Sequence, residues 1–359
     1  MADLGIDASA ALLRMPLTMQ FPDGCGIRMP RLPAPFDALV GILSAKGWPW
    51  RDRLSLLRAA TGWQLRGFQC DAAQSVADLC RGLSPGAMAS LIEPLCVSAL
   101  NTPPERASGQ VFLRVMHDSL FSISGGSNLL LPQVNLSALL PDAALAWLSA
   151  QGGGVSSGVR VKGITKSGNL WQLETDSTGL SDTFEAVLLA CPPLEAARLA
   201  EPCVLHGDAW LAKARGLRYE GIATVYAMAP GTRLAQPMLA LHASGGYPAQ
   251  FVFDRGQLGG PDGLLAFVVS ASLGDNAALT AQVLAQAAAQ LGLRQLQVIQ
   301  TIVEKRATFA CTPGLQRPGL QIAPGLLACG DYVDGPYPAT LEGAVRSGLT
   351  AARHLLSIK

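Results

Sequence analysis

This chain has little charge and no closely spaced metal ligands. Charged residues make up 15% of the 359, against about 25% in an ordinary soluble domain, while 49% are apolar and mean hydropathy is +0.29. That balance implies a large core, an apolar ligand tunnel or a surface that meets lipid. The net charge of +1 leaves no basic surplus, so no nucleic-acid partner is expected. The nearest of the eight cysteines, Cys70 and Cys80, stand ten positions apart, which excludes a C-x-x-C redox or metal pair. His117, His206, His242 and His354 are widely spaced, and no metal site is expected. No run of 18 apolar residues occurs, so no transmembrane helix is expected. Met1-Ala-Asp-Leu-Gly-Ile-Asp has no basic n-region, so no signal peptide is expected. Several cysteines sit in apolar runs, where a reduced thiol behaves as a small hydrophobe, and a reduced, cytoplasmic chain is the expectation.

The most informative stretch lies near the end. Leu326 to Cys329 is an apolar run of the length of a buried strand. Gly330-Asp331 follows, then a loop with Gly335, Pro336 and Pro338. Thr340 opens a helical pattern that places Leu341, Ala344, Val345, Leu349, Ala352 and Leu355 on one face. Strand, Gly-Asp, loop and helix form a ligand-holding order. Gly330 permits close approach to the backbone, Asp331 can accept bonds from hydroxyls, and free N–H groups of the first helical turn can hold an electron-rich group.

Periodicity places a short helix at 7–14, then a hairpin of 17–21 with 27–29 around Pro22-Asp-Gly24. Helices are expected at 35–46, 50–61, 76–81, 85–99, 105–118, 142–151, 194–199 and 280–291. Strands are expected at 159–164, 170–175 and 184–190 as a meander, then at 222–228, 249–253, 264–270 and 297–309. Asn101 and Glu105 are either caps or site residues. Gly154-Val-Ser156-Ser-Gly158 fits G-x-S-x-G, but a nucleophile elbow needs a strand before it and a helix after it. Here the order is reversed, and no hydrolase serine is expected.

Gly330-Asp331, Glu342-Gly343-Ala344 and Ser347-Gly348 together resemble the C-terminal flavin-binding segment of FAD-dependent amine oxidases and phytoene desaturases. The resemblance implies an α/β (α+β) fold, with a Rossmann-like FAD-binding domain and a discontinuous helical and β-sheet substrate domain. It implies that Asp331, beside Gly330, binds the ribityl or diphosphate part of FAD. The backbone of Ala339, Thr340 and Leu341, with Ala344 behind it, would face the isoalloxazine edge. It also places the backbone of Val161 at the adenine and returns Ala190, Cys191 and Pro192 to the cofactor.

Four strings narrow the resemblance: Leu100-Asn-Thr-Pro-Pro-Glu-Arg-Ala-Ser108, Asp118-Ser-Leu-Phe121, Glu304-Lys-Arg-Ala-Thr-Phe-Ala-Cys-Thr-Pro-Gly314, and Gly330 through Thr340. They are similar to the hydroxysqualene dehydroxylases, FAD-dependent enzymes of bacterial hopanoid synthesis. That family replaces an allylic C–OH by C–H, giving squalene. The resemblance implies an apolar isoprenoid substrate, peripheral membrane access, and an acid near the flavin, with Asp334, Tyr337 and Arg306 as the expected catalytic residues among candidates that include Lys305 and Tyr332. The implied division is 1–104 helical substrate part, 105–200 FAD-binding part, 201–304 substrate part with sheet, and 305–359 FAD-binding segment. No G-x-G-x-x-G occurs in the chain, so it is expected to start beyond the glycine-turn module that supplies diphosphate contacts. A carotenoid-type desaturase, an amine oxidase and a flavin-free lipid-binding remnant stay open as alternatives.

Overall fold

The computed structural model describes residues 1–122, 125–176, 183–272 and 275–358. They group into two compact units, each built from two separate stretches: Met1–Val155 with Glu220–Thr308, and Ser156–Tyr219 with Phe309–Lys359.

The first unit joins a helical block to a five-stranded sheet. In space the strands run Met238–Ala240, Phe251–Asp254, Leu264–Ser270, Tyr219–Met228 and Gln297–Phe309. Alternation sets the faces: Ala223, Val225 and Ala227 are buried, with Val225 opposite Phe267 and Phe267 opposite Val252. The helix Asn276–Leu291 starts on Asp275, whose carboxylate accepts the N–H groups of Ala277 and Ala278, and stops at Gly292, φ 71°. It lays Leu279, Val283 and Ala287 into the same core. Burying a side chain the size of Val or Phe there contributes about 1.5–3 kcal/mol. Gln286 is fully buried among them, and its amide pairs with both the N–H and the C=O of Ala249.

The helical block holds Phe36–Leu43, Trp50–Leu65, Val76–Leu79 and an unbroken helical run from Pro85 to Leu100 with a wider π turn at Met88–Ile92. The expected hairpin is present, Thr18–Gln20 against Gly26–Arg28. Asn101 ends the run in the left-handed region, φ 46°. Its amide donates to Thr308 Oγ1 at 2.9 Å, and its oxygen accepts Ala271 N–H at 2.8 Å. Ser108 caps the helix Gly109–Met116. The string from Leu100 to Ser108 is therefore a joint inside this unit, and Glu105 is exposed rather than a cap.

Three expectations differ from the structure here. Residues 7–14 are helical only at Ala8–Ala11, because Leu12–Met15 finds a strand partner in Leu129–Pro132. The expected helix 105–118 begins at Gly109, since residues 103–107 turn after Pro103-Pro104. Residues 105–155 group with the first unit, not with 156–200. Phe112 packs edge-on against Trp63, and Gln110 bonds both Cys70 N–H and Phe68 C=O.

The second unit contains two small sheets. Val161–Ser167, Leu170–Thr175 and Thr183–Phe184 form an antiparallel sheet around the buried Trp171. Gln321–Ala323, Leu326–Ala328 and Val187–Leu189 form the other, whose last two strands are parallel with Leu326 opposite Val187. The single strand expected at 184–190 thus divides between sheets, the switch fixed by Val187 N–H bonding Gly325 C=O at 2.8 Å. Gly154–Gly158 is irregular chain between the helix Pro141–Ala150 and the strand Val161–Ser167, so it is no nucleophile elbow.

Candidate functional site

The parallel pair Val187–Leu189 and Leu326–Ala328 delivers two turns side by side at its carboxyl end: Ala190-Cys191-Pro192 and Cys329-Gly330-Asp331. Cys329 N–H donates to Leu189 C=O at 2.9 Å and holds them in register. The carboxyl ends of parallel strands are where α/β sheets bind ligands. Gly330 has φ 151°, and a Cβ there would stand 2.7 Å from the Tyr332 ring, so the turn accepts only glycine.

Ser347, from the Ser347-Gly348 string, and Arg317, which belongs to none of the quoted motifs, brace this turn. Ser347, on the helix Leu341–Ile358, accepts Gly330 N–H at 2.8 Å, and its hydroxyl lies 2.9 Å from the carbonyls of Gly330 and Ala344. Arg317 is buried and spends its guanidinium on main-chain carbonyls: Asp331 at 3.1 Å, Tyr337 at 3.0 Å, and Gly335. It also lies over the Phe309 ring. Its burial lowers its own pKa, with Asp334 opposing that shift. The signal that could have revealed Arg317 is its isolation, as the only Lys or Arg between residues 307 and 345.

The turn carries unmet polar capacity. Asp331 is half-buried; desolvation raises its carboxyl pKa, against the backbone N–H of Tyr332 and the Arg317 charge. The Tyr332 hydroxyl is buried with no hydrogen-bond partner, and burial first, then the neighbouring Cys191 and Cys329 thiols, push it up. Burial likewise raises the Cys191 and Cys329 thiols. A desolvated carboxylate held by backbone N–H groups, beside an unpartnered hydroxyl, fits a ligand that brings hydroxyls and polar edges, as FAD does.

At the start of the helix Leu341–Ile358, Thr340 Oγ1 accepts Gly343 N–H at 3.1 Å, and its carbonyl accepts Ala344 N–H. The first-turn N–H groups of Leu341 and Glu342 have no intrahelical acceptor. Ala339, Thr340 and Ala344 are half-buried, whereas Leu341 is exposed. The expected apolar face is not the buried one. Val345, Leu349 and Ala352 are exposed, and Ala351 packs on Leu327 and Cys329 with Leu355 beside it.

The remaining expected residues are placed as follows. The Val161 carbonyl accepts from Arg198 at 3.3 Å and that of Lys162 at 2.8 Å, while Arg198 pairs with Glu195. Asp334 is largely exposed, with Oδ1 4.0 Å from Arg317 Nε and its N–H on Pro318 C=O. Tyr337 is half-buried, with the Arg346 guanidinium over its ring. These residues all lie in the second unit. Arg306 lies in the first unit, exposed on the strand Gln297–Phe309, with its N–H on the Glu304 carboxylate. Among the described residues no three His, Cys, Asp or Glu side chains gather as a metal ion would need.

The fold is that of FAD-dependent oxidoreductases of the amine oxidase type. An oxidoreductase from Methanosarcina mazei aligns with a TM-score of 0.69 at 13% identity over 95% of this chain and 87% of its own. A reduced UDP-galactopyranose mutase aligns at 0.64 and 14% over 99% and 81%. The chain belongs to the flavin containing amine oxidoreductase family, whose model matches residues 20–356, and its cofactor is FAD. It is 29% identical over 288 residues to a hydroxysqualene dehydroxylase of Rhodopseudomonas palustris, covering 74% of this chain and 62% of that relative. The chain thus spans about three fifths of that relative's length.

Proposed function

We propose that this chain carries the FAD-binding and substrate-facing residues of a hydroxysqualene dehydroxylase, which replaces an allylic C–OH of an apolar isoprenoid by C–H and releases water. The observation that carries the reading is the 29% identity to a hydroxysqualene dehydroxylase, in a chain whose Gly330-Asp331 turn has the polar capacity a flavin needs. The expected roles distribute over the site. Asp331 accepts cofactor hydroxyls. The turn Ala190–Pro192 and the backbone at Ala339–Leu341 would help hold the cofactor, with the Val161 backbone toward its adenine. Bound FAD, in its reduced form, supplies the hydride. The departing hydroxyl takes one proton and leaves as water, so the bond lost is C–O and the bond gained is C–H. Asp334 and Tyr337, on the loop Arg317 holds, are the proposed proton donors. The apolar composition suits a long hydrocarbon substrate.

The test is product analysis after incubation with hydroxysqualene and chemically reduced FAD. Squalene is the expected product. In parallel incubations with oxidised FAD, a more unsaturated product would assign the chain to the desaturases, and oxidation of an added amine would assign it to the amine oxidases.

A further inference from the structure

We infer that the helices Phe36–Leu43 and Trp50–Leu65 form a docking face for an anionic lipid bilayer. The inference does not depend on the reaction proposed above. On the first helix Phe36, Leu39, Val40 and Leu43 repeat at three- and four-residue spacing and all face solvent. Trp50 and Leu54, one turn apart on the second, are 69% and 54% exposed, and Leu32 extends the stripe before the first. Burial elsewhere explains none of them, because each helix already has a core face: Ala38 and Ile42 on one, Leu56 and Trp63 on the other. Arg53 fixes the two helices together by donating to Leu43 C=O and Ala45 C=O, both at 2.7 Å. The same guanidinium lies 5.1 Å from the Trp50 ring and holds it outward.

Charge selects the occupant. Among the described residues from 28 to 58 the exposed ionic side chains are Arg28, Arg31, Lys46, Arg51 and Arg58, all cationic. The two carboxylates of the segment, Asp37 and Asp52, are buried; Asp37 accepts a bond from Ser127. An apolar stripe with an exposed tryptophan and phenylalanine, whose exposed charges along residues 28–58 are all cationic, matches an interface of anionic headgroups over hydrocarbon. A second copy of the chain would bring like charge against like charge.

The test is co-sedimentation with vesicles of phosphatidylcholine alone and of phosphatidylcholine with phosphatidylglycerol in equal parts. Wild type should pellet with the anionic vesicles and be released by salt. Phe36→Ser with Trp50→Ser should lose about tenfold in partitioning, and Arg51→Glu with Arg58→Glu should lose the preference for anionic lipid. All of these residues are exposed, and an unchanged thermal melt confirms that the variants are folded. Wild type failing to pellet, or the Phe36→Ser, Trp50→Ser protein pelleting like wild type, would overturn the inference. So would a wild-type dimer in solution that the same double substitution converts to monomer.

Discussion

Asp331 is the residue on which stability and binding pull apart. Its carboxyl is half-buried and receives only backbone N–H bonds and the field of Arg317, so burial raises its pKa above the ordinary 3.8. A carboxyl whose folded pKa is raised favours the folded state below the unfolded value. That advantage is lost as pH rises through the folded value. Without FAD, Asp331→Asn should therefore melt above wild type at neutral pH and equal to it near pH 3, where both states are protonated. Thermal melts at the two pH values check this. A variant less stable than wild type at neutral pH would mean that the carboxylate has a partner worth more than its burial. The glycine and aspartate of this turn were legible because their chemistry is local: a close approach and an acceptor at a strand end. Arg317 was not, because its role is to collect carbonyls from a loop whose path exists only after folding.

At the level of elements, the helix Leu341–Ile358 shows what periodicity misreads. Its leucines and valine mark one face, yet the residues turned to the strands include two small ones, Ser347, which bonds Gly330, and Ala351, which packs on Leu327 and Cys329. The reason is proximity. Small residues let the helix approach closely enough for Ser347 to bond both polar groups of Gly330. Ser347→Ala leaves Gly330 N–H without its acceptor and should cost about 1–3 kcal/mol. Denaturant titration measures this, and an unchanged midpoint would remove Ser347 as the brace. The helices and most strands were legible from apolar spacing. The division of 183–189 between two sheets was not, since its two halves have the same β-forming composition and only distant partners, Leu170–Thr175 and Leu326–Ala328, separate them. The helix expected over 7–14 failed for the same reason: a remote strand outweighed the local pattern.

At the level of the whole chain, the two units interleave in sequence, and the long segment 105–155 joins the first through Phe112, Gln110 and Ser108. Composition could not reveal that, because both units draw on the same apolar residues. Among the described residues no helix is long and apolar enough to cross a membrane. The second unit gathers the residues at Gly330-Asp331, Ala190–Pro192 and Ala339–Leu341, and the account rests on their holding FAD. The most direct test is titration of FAD fluorescence with wild type and Asp331→Ala, with a thermal melt of each. A charge-assisted bond contributes about 1.5–3 kcal/mol, so Asp331→Ala should bind FAD about ten- to a hundredfold more weakly while keeping its fold. Equal FAD affinity in the two proteins would contradict the assignment of this turn to the cofactor.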